Sequence, residues 1–492
     1  VPTIKNPSAG IKIDIAVTDN GREVTKQEFS LDQNISIMIP DAELWSPANP
    51  HLYDLRLRLI DGGETIDEVE SYFGMRKIAV VKDEVGFNRL ALNDEILFQN
   101  GPLDQGFWPD GLYTPPSDEA MKYDIEKTIA MGFNMLRKHV KVENRRFYHW
   151  CDRLGILVWQ DMPSAAGFIA PDDADLQPSD EHKNQFEQEL QQLVLTHFNH
   201  PSIVMWVPFN EGWGQYDTER ITGWIKSIDS TRLVNNASGW TDRGVGDVID
   251  IHHYPDPRCP DPEEKRASVL GEFGGLGLFV EGHVWQEENW GYEKMQVVDE
   301  LLVKYEDFYG EVDRMKNECG LAAVVYTQTT DVETETNGLM TYDRAEVKMG
   351  VQNIYNAHHG IIPPRLNTPL RRFIDSIPVG LVTSAPEASM QYCFCNPGDE
   401  DNWQPYVEPL MIKSELTLKT KSIWPDGTQS RQNSSRFFPA TPFPSIFVET
   451  ANGLVVTYYE GNWDKLPDFD KQNPMHTGIA DKIDLAFSGT NE

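Results

Sequence analysis

Polar and apolar residues alternate in Lys12-Ile-Asp-Ile-Ala-Val-Thr18, and a turn signal, Asp19-Asn20-Gly21, follows at once. Successive strand side chains point to opposite faces, so this pattern predicts a strand with one buried side. Ile35-Ser-Ile-Met-Ile39 and Leu55-Arg-Leu-Arg-Leu59 repeat the alternation, the latter closed by Asp61-Gly62-Gly63. Short strands with turns at this spacing indicate an immunoglobulin-like β-sandwich over residues 1–82.

Beyond it the period changes, and apolar strands alternate with helical segments, the mark of βα units around a parallel sheet. Eight strands are predicted: Ile96–Gln99, Asn134–Lys138, Ile156–Gln160, Ile203–Phe209, Leu233–Asn236, Val248–His252, Val269–Phe273 and Ala322–Gln328. Between them, Met121, Ile125 and Ile129 recur at helical spacing after the start signal Ser117-Asp118. Phe186, Leu190, Leu193, Val194 and His197 trace a second helical face, and Ile221, Trp224 and Ile228 a third. Eight such strands over residues 83–365 match the size of a (β/α)8 barrel. An open doubly wound sheet would carry a glycine-rich phosphate loop after its first strand, and none stands there. Pro363-Pro364 closes the region. Residues 366–448 return to short strands and turns (Leu416–Lys421, then Trp424-Pro-Asp-Gly427) and predict a small C-terminal β-sandwich. Residues 449–492 are too few for another domain and read as the start of one.

Composition narrows the function. Over 492 residues, 43 Lys+Arg against 77 Asp+Glu leave a net charge of −34 with no basic run, which argues against a nucleic-acid partner. No apolar stretch approaches the length of a membrane span. The chain starts at Val1 rather than Met and holds no signal peptide, so a leader is expected to have been removed. Five cysteines give neither a disulfide framework nor a CxxC metal pair, and Cys393 and Cys395 read as packing residues on one strand face. His197-Phe-Asn-His200 and the pairs His252-His253 and His358-His359 lack helical metal-ligand spacing, so no metal and no cofactor are expected. The oligomeric state is left open.

In a barrel of this kind, chemistry collects at the carboxyl ends of the strands. The fourth strand, Ser202-Ile-Val-Met-Trp-Val-Pro-Phe209, runs into Asn210-Glu211-Gly-Trp-Gly214, and the seventh ends in Glu272-Phe-Gly-Gly275. Two carboxylates across a sugar-sized cleft are what glycoside cleavage requires, one to protonate the leaving oxygen and one to attack the anomeric carbon. The alternative is that both are solvated loop acids, and a related alternative is a carbohydrate-binding protein with an inactive barrel.

His200-Pro-Ser-Ile-Val-Met-Trp-Val-Pro-Phe-Asn-Glu211 resembles the acid/base segment of glycoside hydrolase family 2, which includes β-galactosidases, β-glucuronidases and β-mannosidases, and Gly271-Glu-Phe-Gly-Gly275 resembles its nucleophile segment. Gly132-Phe-Asn-Met-Leu-Arg137, Leu154-Gly-Ile-Leu-Val-Trp-Gln-Asp-Met-Pro163 and Trp45-Ser-Pro with Pro50-His-Leu-Tyr-Asp-Leu-Arg56 continue the likeness in the family's order. The resemblance implies a retaining exo-β-glycosidase acting on terminal sugars of oligo- or polysaccharides, a β-galactosidase first, a β-glucuronidase or β-mannosidase next. Carried over, Glu211 is the acid/base, Glu272 the nucleophile, Asn210 the partner of the sugar 2-hydroxyl, and Arg137 and Tyr254 the residues that brace Glu272. Of His252 and His253 one is expected to touch substrate, with His253 the candidate, and Asp161 and Trp213 are expected as walls of the sugar site.

The departures are specific. Arg137-Lys138-His139-Val140 stands where the family often has Arg-x-Ser/Thr-His, and Asn100-Gly-Pro-Leu-Asp-Gln105 replaces a Gly-x-Asn-x-His segment, so Asp104 and Gln105 are expected to take over a sugar contact. Tyr326-Thr-Gln-Thr-Thr-Asp331 replaces a Trp-rich end of strand eight. The family's N-terminal jelly-roll domain is missing, which leads us to expect that the chain begins partway through a longer protein. Residues 367–448 resemble the small sandwich that ends some β-hexosaminidases, and Leu454–Phe469 the opening of protective-antigen-like sugar-binding modules; both imply an exported, multimodular enzyme. Acids outnumber bases by eight to one over residues 161–190 and by sixteen to six over residues 281–350. These stretches follow strands three and seven and are expected at the cleft rim, favouring a neutral sugar unless Arg137, Lys138 or Lys141 offsets them.

Overall fold

The computed structural model describes residues 10–30, 35–164, 167–395, 401–441, 454–461, 463 and 465–480. The expected boundary at 448/449 and the two chain ends lie outside the described residues.

The N-terminal sheet has four antiparallel strands in the order Arg22–Ser30, Lys12–Asp19, Tyr53–Asp61, Glu64–Phe73. Ile13, Ile15 and Val17 are buried on its inner face, as the alternation requires. Ile35–Ile39 keeps its alternating exposure but pairs with no neighbour among the described residues and is irregular. Alternation supplies a face; a strand also needs an adjacent edge to bond to.

Eight parallel strands follow: Gln99–Asp104, Met135–Lys138, Leu157–Asp161, Ile203–Val207, Leu233–Val234, Val248–His253, Ala267–Gly274 and Ala323–Thr327. Their ladder runs from the fifth through the first to the eighth, seventh and sixth. The gap between fifth and sixth is bridged by Asp247, whose N–H donates to the Val234 carbonyl at 2.9 Å and whose carboxylate accepts from the Val234 N–H at 2.7 Å. The first strand lies at Gln99–Asp104 rather than Ile96–Gln99. Gly101-Pro102 reads as a turn in sequence, yet Gly101 is needed there because a Cβ would lie 2.2 Å from the Met135 carbonyl oxygen.

Apolar clusters divide the barrel into an interior and two outer shells. Leu103, Met135, Leu157, Trp159, Met205, Val248, Val269 and Val325 fill the interior. Helices Asp118–Ala130, Arg145–Leu154, Asp180–His197 and Thr218–Ile228 pack outside the second to fifth strands, with Ile125, Phe147, Leu190 and Ile221 in contact. Helices Val298–Glu318 and Val351–His358 cover the seventh and eighth. The predicted start at Ser117 is an N-cap whose hydroxyl accepts from Ala120 N–H at 3.1 Å. A hairpin, Ile78–Lys82 with Asn88–Leu92, plugs the barrel foot with Ile78, Leu90 and Leu92. Trp45 of the N-terminal domain joins that plug and donates its indole N–H to the Asp152 carbonyl at 2.8 Å. Closing the foot leaves the carboxyl ends of the strands as the open mouth.

The C-terminal unit holds a five-stranded sheet around Ser389–Cys395, Leu416–Ile423 and Asn433–Pro439, facing the pair Ile377–Val379 and Leu410–Ile412 across a core of Val379, Ile412, Leu418 and Phe437. Arg431 ties it to the barrel through two bonds to Glu306, at 2.7 and 2.5 Å. Two cysteine pairs are bonded, Cys259 to Cys319 and Cys393 to Cys395, where the sequence led us to expect none. The first joins residues 60 apart, a proximity that only the packing of helix Val298–Glu318 against the barrel creates.

Candidate active site

The inward positions of the strands are apolar at the foot and polar at the mouth. On the second strand Met135 is followed by Arg137 and His139, on the third Leu157 and Trp159 by Asp161, and on the sixth Val248 by Asp250 and His252. Side chains two apart share a face, so burying the foot of each strand aims its last residues into the cleft. On the seventh strand the register shifts between Leu270 and Phe273, which lets both Val269 and Glu272 face inward. Gly271 sits at that shift, its N–H 2.6 Å from an Asp250 oxygen where any side chain would collide. Beyond the fourth strand, Glu211 adopts a left-handed φ of 53° and is anchored by its N–H to the Ser238 carbonyl at 2.8 Å. Such a backbone is strained for a glutamate and turns its carboxylate toward the cleft.

Glu272 is the most heavily supported group. Arg137 Nη1 donates to its Oε1 at 3.1 Å, and the Tyr254 hydroxyl donates to its Oε2 at 2.6 Å. Tyr254 is itself fixed by Thr327 at 2.7 Å and by stacking on Tyr292, with ring centroids 3.7 Å apart. Burial opposes ionisation of Glu272, but His252, His139, Arg137 and the Tyr254 hydrogen bond outweigh it and hold the carboxyl below its usual range. Arg137 also bonds Asp161 through Nε and Nη2 (3.0 and 2.9 Å) and donates from Nη2 to Asn210 Oδ1 at 2.7 Å. This leaves the Asn210 amide N–H groups free to donate elsewhere.

Glu211 Oε1 lies 2.7 Å from His252 Nδ1, and one oxygen of Glu211, a ring nitrogen of His252 and one oxygen of Glu272 lie within 4.8 Å of one another. The tautomer of His252 follows from its other nitrogen. The Ser238 hydroxyl donates to Asp250 Oδ2 at 2.6 Å, so toward His252 Nε2, 2.7 Å away, it accepts from a protonated Nε2, and this short contact outweighs the longer one of 3.4 Å from the Arg137 Nη1 donor to the same nitrogen. Nδ1 then either accepts a proton from Glu211 or gives one to it, and the two residues share a single proton. Burial disfavours the charged ring, but Glu272, Glu211 and Asp250 outweigh it and raise His252 above its ordinary range.

Of the residues expected from sequence, Arg137, Asn210, Glu211, Tyr254 and Glu272 converge on this cleft. Trp213 stands at its mouth, half exposed beside Phe168, in a pocket of about 360 Å³ also lined by Gln105, Tyr113, His139, Asn210 and Glu211. Asp161 is not a wall of the pocket; it is buried behind Arg137, and although burial opposes its ionisation, Arg137 and His139 outweigh that and hold its carboxyl below the usual range. Asp104 is not available to a sugar either, because Lys138 Nζ holds it at 2.6 Å in a buried network with Glu143 and Lys141. His253 points away and bonds the Asp256 carbonyl at 2.6 Å; His252 takes the place expected of it. The parity of the sixth strand decides this, since His252 shares a face with Asp250. His139, Ser238 and Tyr292 were not singled out, and only for His139 did the sequence carry a signal, two residues after Arg137.

Glu211, His252 and Glu272 offer three donor atoms close enough for a metal ion, as do Cys393, Cys395 and Asp401. In the first group the Arg137 guanidinium already supplies positive charge to Glu272; in the second the sulfurs are bonded to each other and Asp401 pairs with Lys419 at 2.6 Å. A larger groove of about 490 Å³ lies beside helix Val298–Glu318, but its acids Asp307 and Glu311 are committed to Arg365 at 2.9 and 2.7 Å.

Residues 116–273 match the family described as Glycosyl hydrolases family 2, TIM barrel domain, and residues 3–76 match Glycosyl hydrolases family 2. The chain is similar to a beta-galactosidase of Lactococcus lactis subsp. lactis, 29% identical over 222 residues, covering 45% of this chain and 21% of that protein. Its fold is similar to that of an FMN-binding beta-glucuronidase from Facaelibacterium prausnitzii L2-6, with a TM-score of 0.62, 18% identity and coverage of 89% of this chain and 71% of that one. It is also similar to that of a Beta-D-Mannosidase from Dictyoglomus thermophilum, with a TM-score of 0.58, 18% identity and coverage of 92% and 65%. The chain spans about a fifth of the length of the first curated relatives it matches.

Proposed function

Because this chain belongs to glycosyl hydrolase family 2, we propose that it is a retaining exo-β-glycosidase that removes terminal β-linked neutral sugars from oligo- or polysaccharides, a β-galactosidase first. The observation that carries the reading is the approach of Glu211 and Glu272, at the ends of the fourth and seventh strands, to within 4.8 Å. Retaining enzymes hold their two carboxyl groups roughly 5–5.5 Å apart, whereas inverting ones leave room for a water at about 6.5–9.5 Å. Glu272 attacks the anomeric carbon while Glu211 gives its proton to the departing oxygen, forming a glycosyl ester on Glu272. Water then attacks the same carbon, Glu211 takes the water's proton, and the ester bond breaks with net retention. Asn210, its oxygen held by Arg137, offers N–H to the sugar 2-hydroxyl.

The choice of a neutral sugar is supported by the fate of the nearby bases. Arg137 is paired with Asp161 and Glu272, Lys138 with Asp104 and Glu143, and Lys141 with Glu143 and the Gly106 carbonyl. None is left for a uronate, which weighs against the β-glucuronidase reading; β-mannosidase is the next alternative. The two cysteine pairs support export, since disulfides persist in oxidising compartments.

The test is hydrolysis of p-nitrophenyl β-galactoside, β-glucoside, β-mannoside and β-glucuronide by the full chain. Turnover of a neutral glycoside is expected. No turnover of any of the four would leave a carbohydrate-binding protein with an inactive barrel as the better account.

A further inference from the structure

We infer that a closed ring of four side chains, Gln105, Gln328, Asn337 and Glu335, reads the sugar through acceptor atoms alone, demanding hydroxyl groups and rejecting a uronic acid. The inference rests on the glycosidase reading and deepens it. Gln105 Nε2 donates to Gln328 Oε1 at 2.8 Å and to Glu335 Oε2 at 3.2 Å; Gln328 Nε2 donates to Asn337 Oδ1 at 2.9 Å; and Asn337 Nδ2 donates to Glu335 Oε1 at 2.9 Å. A carboxylate has lone pairs and no hydrogen, so it fixes the direction of the whole ring. Asn337 must present its N–H to Glu335, which turns its oxygen to Gln328, which turns its oxygen to Gln105. Gln105 then spends both N–H groups inside the ring. Its own Oε1 is left over, on a residue that lines the pocket with Asn210 and Glu211. Gln328 and Asn337 are buried, while Gln105 and Glu335 are half-buried and form the ring's open side.

The ring adjoins an aromatic wall that begins at Glu272. Tyr254 bonds Glu272 and stacks on Tyr292, Tyr292 meets Trp290 at 5.5 Å between ring centroids, and the Trp290 backbone pairs beside Glu335. Half-exposed aromatic faces next to an acceptor-only edge suit a pyranose, whose C–H face packs on a ring while its hydroxyls donate outward. A uronate carboxylate in the same place brings no hydrogen and meets Glu335 as a like charge. Burial, and the charge of Glu272, raise the Glu335 carboxyl above its usual range, the amide donors countering them.

The test uses non-hydrolysable phenyl β-thioglycosides, so that it reads binding whether or not the protein turns over substrate. Calorimetry should show the intact chain binding at least one of the thiogalactoside, thioglucoside or thiomannoside at least about 10-fold more tightly than the thioglucuronide. Glu335→Gln, which lets the ring reverse, should weaken the neutral ligand by about 10–100-fold and cut the preference by at least about 10-fold. Gln105→Leu, which leaves the buried amides in place, should act in the same direction. The inference is overturned if the thioglucuronide binds as tightly as every neutral ligand, if no neutral ligand binds, or if either folded substitution leaves the preference unchanged. Failed hydrolysis with intact selectivity would count against the enzyme reading alone.

Discussion

Arg137 and Lys138 are neighbours on one strand, both buried, and each heads a charged network of a different kind. Lys138 faces outward among Asp104, Glu143 and Lys141, two cations with two carboxylates, packed over the Phe147 ring at 4.2 Å. That network balances its charge with fixed groups and closes on itself. Arg137 faces inward among Asp161, Glu272 and Asp250, with Glu211 one step further through His252. Here carboxylates outnumber permanent cations, and the raised His252 is the group placed to supply a proton. Burial of charge is common to both; mobile protons and an open face belong only to the second. A closed network stabilises one conformation, and an open, proton-deficient one can move a proton during a reaction.

Breaking the open network at Glu272 should have the largest effect. Glu272→Gln keeps the shape but removes the proposed nucleophile, and kcat should fall by about 10⁴-fold or more. Azide should restore turnover to Glu272→Gly by a single displacement that yields the glycosyl azide of inverted configuration, whereas proton NMR of the unsubstituted protein should show the first-formed sugar with the starting anomeric configuration. A Glu272 variant with ordinary activity would remove the assignment. In the closed network the change appears in stability instead. Lys138→Met strands Asp104 as a buried unpaired acid and leaves Glu143 to Lys141 alone, at a cost of about 3–5 kcal/mol in chemical denaturation, with KM unchanged in the folded fraction. If Lys138→Met altered KM as strongly as stability, the two networks would not be separable.

What the sequence disclosed follows the same division. Strand ends carrying Arg137, Glu211 and Glu272 are legible because each terminates an apolar run, and the burial of that run dictates where the last residue points. Asp104 ends a strand too, but its partner Lys138 lies 34 residues away, and nothing local shows that the carboxylate is already taken. His253 was preferred to His252 although the face shared with Asp250 was readable. The Gln105–Glu335 ring could not be read, since its ends lie 230 residues apart and meet only when the first and eighth strands pair. The first strand was misplaced because Gly101-Pro102 carries turn chemistry into a position that close packing reserves for a residue without a Cβ.

The shared proton predicts a pH profile with assignable limbs. Glu272 must be ionised, and its lowered carboxyl places the acid limb below that of an ordinary glutamate. One proton must remain on the Glu211–His252 pair, and the raised His252 places the alkaline limb above the ordinary histidine range. The groups facing His252 are Glu211, Glu272, Asp250 and Arg137, so the limb belongs to the ensemble rather than to one residue. His252→Asn should move the alkaline limb of kcat/KM downward by about one unit, roughly a 10-fold loss on that side, and leave the acid limb nearly in place. A dinitrophenyl leaving group, which departs without a proton, should blunt the difference. Superimposable profiles for the two proteins would mean that Glu211 holds its proton alone.

The smallest effect is expected at the cleft mouth, where neither network reaches. Trp213 lines the pocket beside Glu211 but is half exposed, and its ring leans on Phe168 at 5.3 Å between centroids. It carries no charge and bonds no acid, so removing it takes contact area from whatever leaves the anomeric carbon and disturbs no proton. Trp213→Ala should therefore raise KM about 3–10-fold for oligosaccharides, leave kcat within a factor of about two, and leave both pH limbs where they were. The effect should shrink further for substrates whose leaving group is a single methyl. A fall in kcat equal to the rise in KM would instead tie Trp213 to the backbone turn that presents Glu211, whose next residue Gly212 already packs against Ile169 and Thr241.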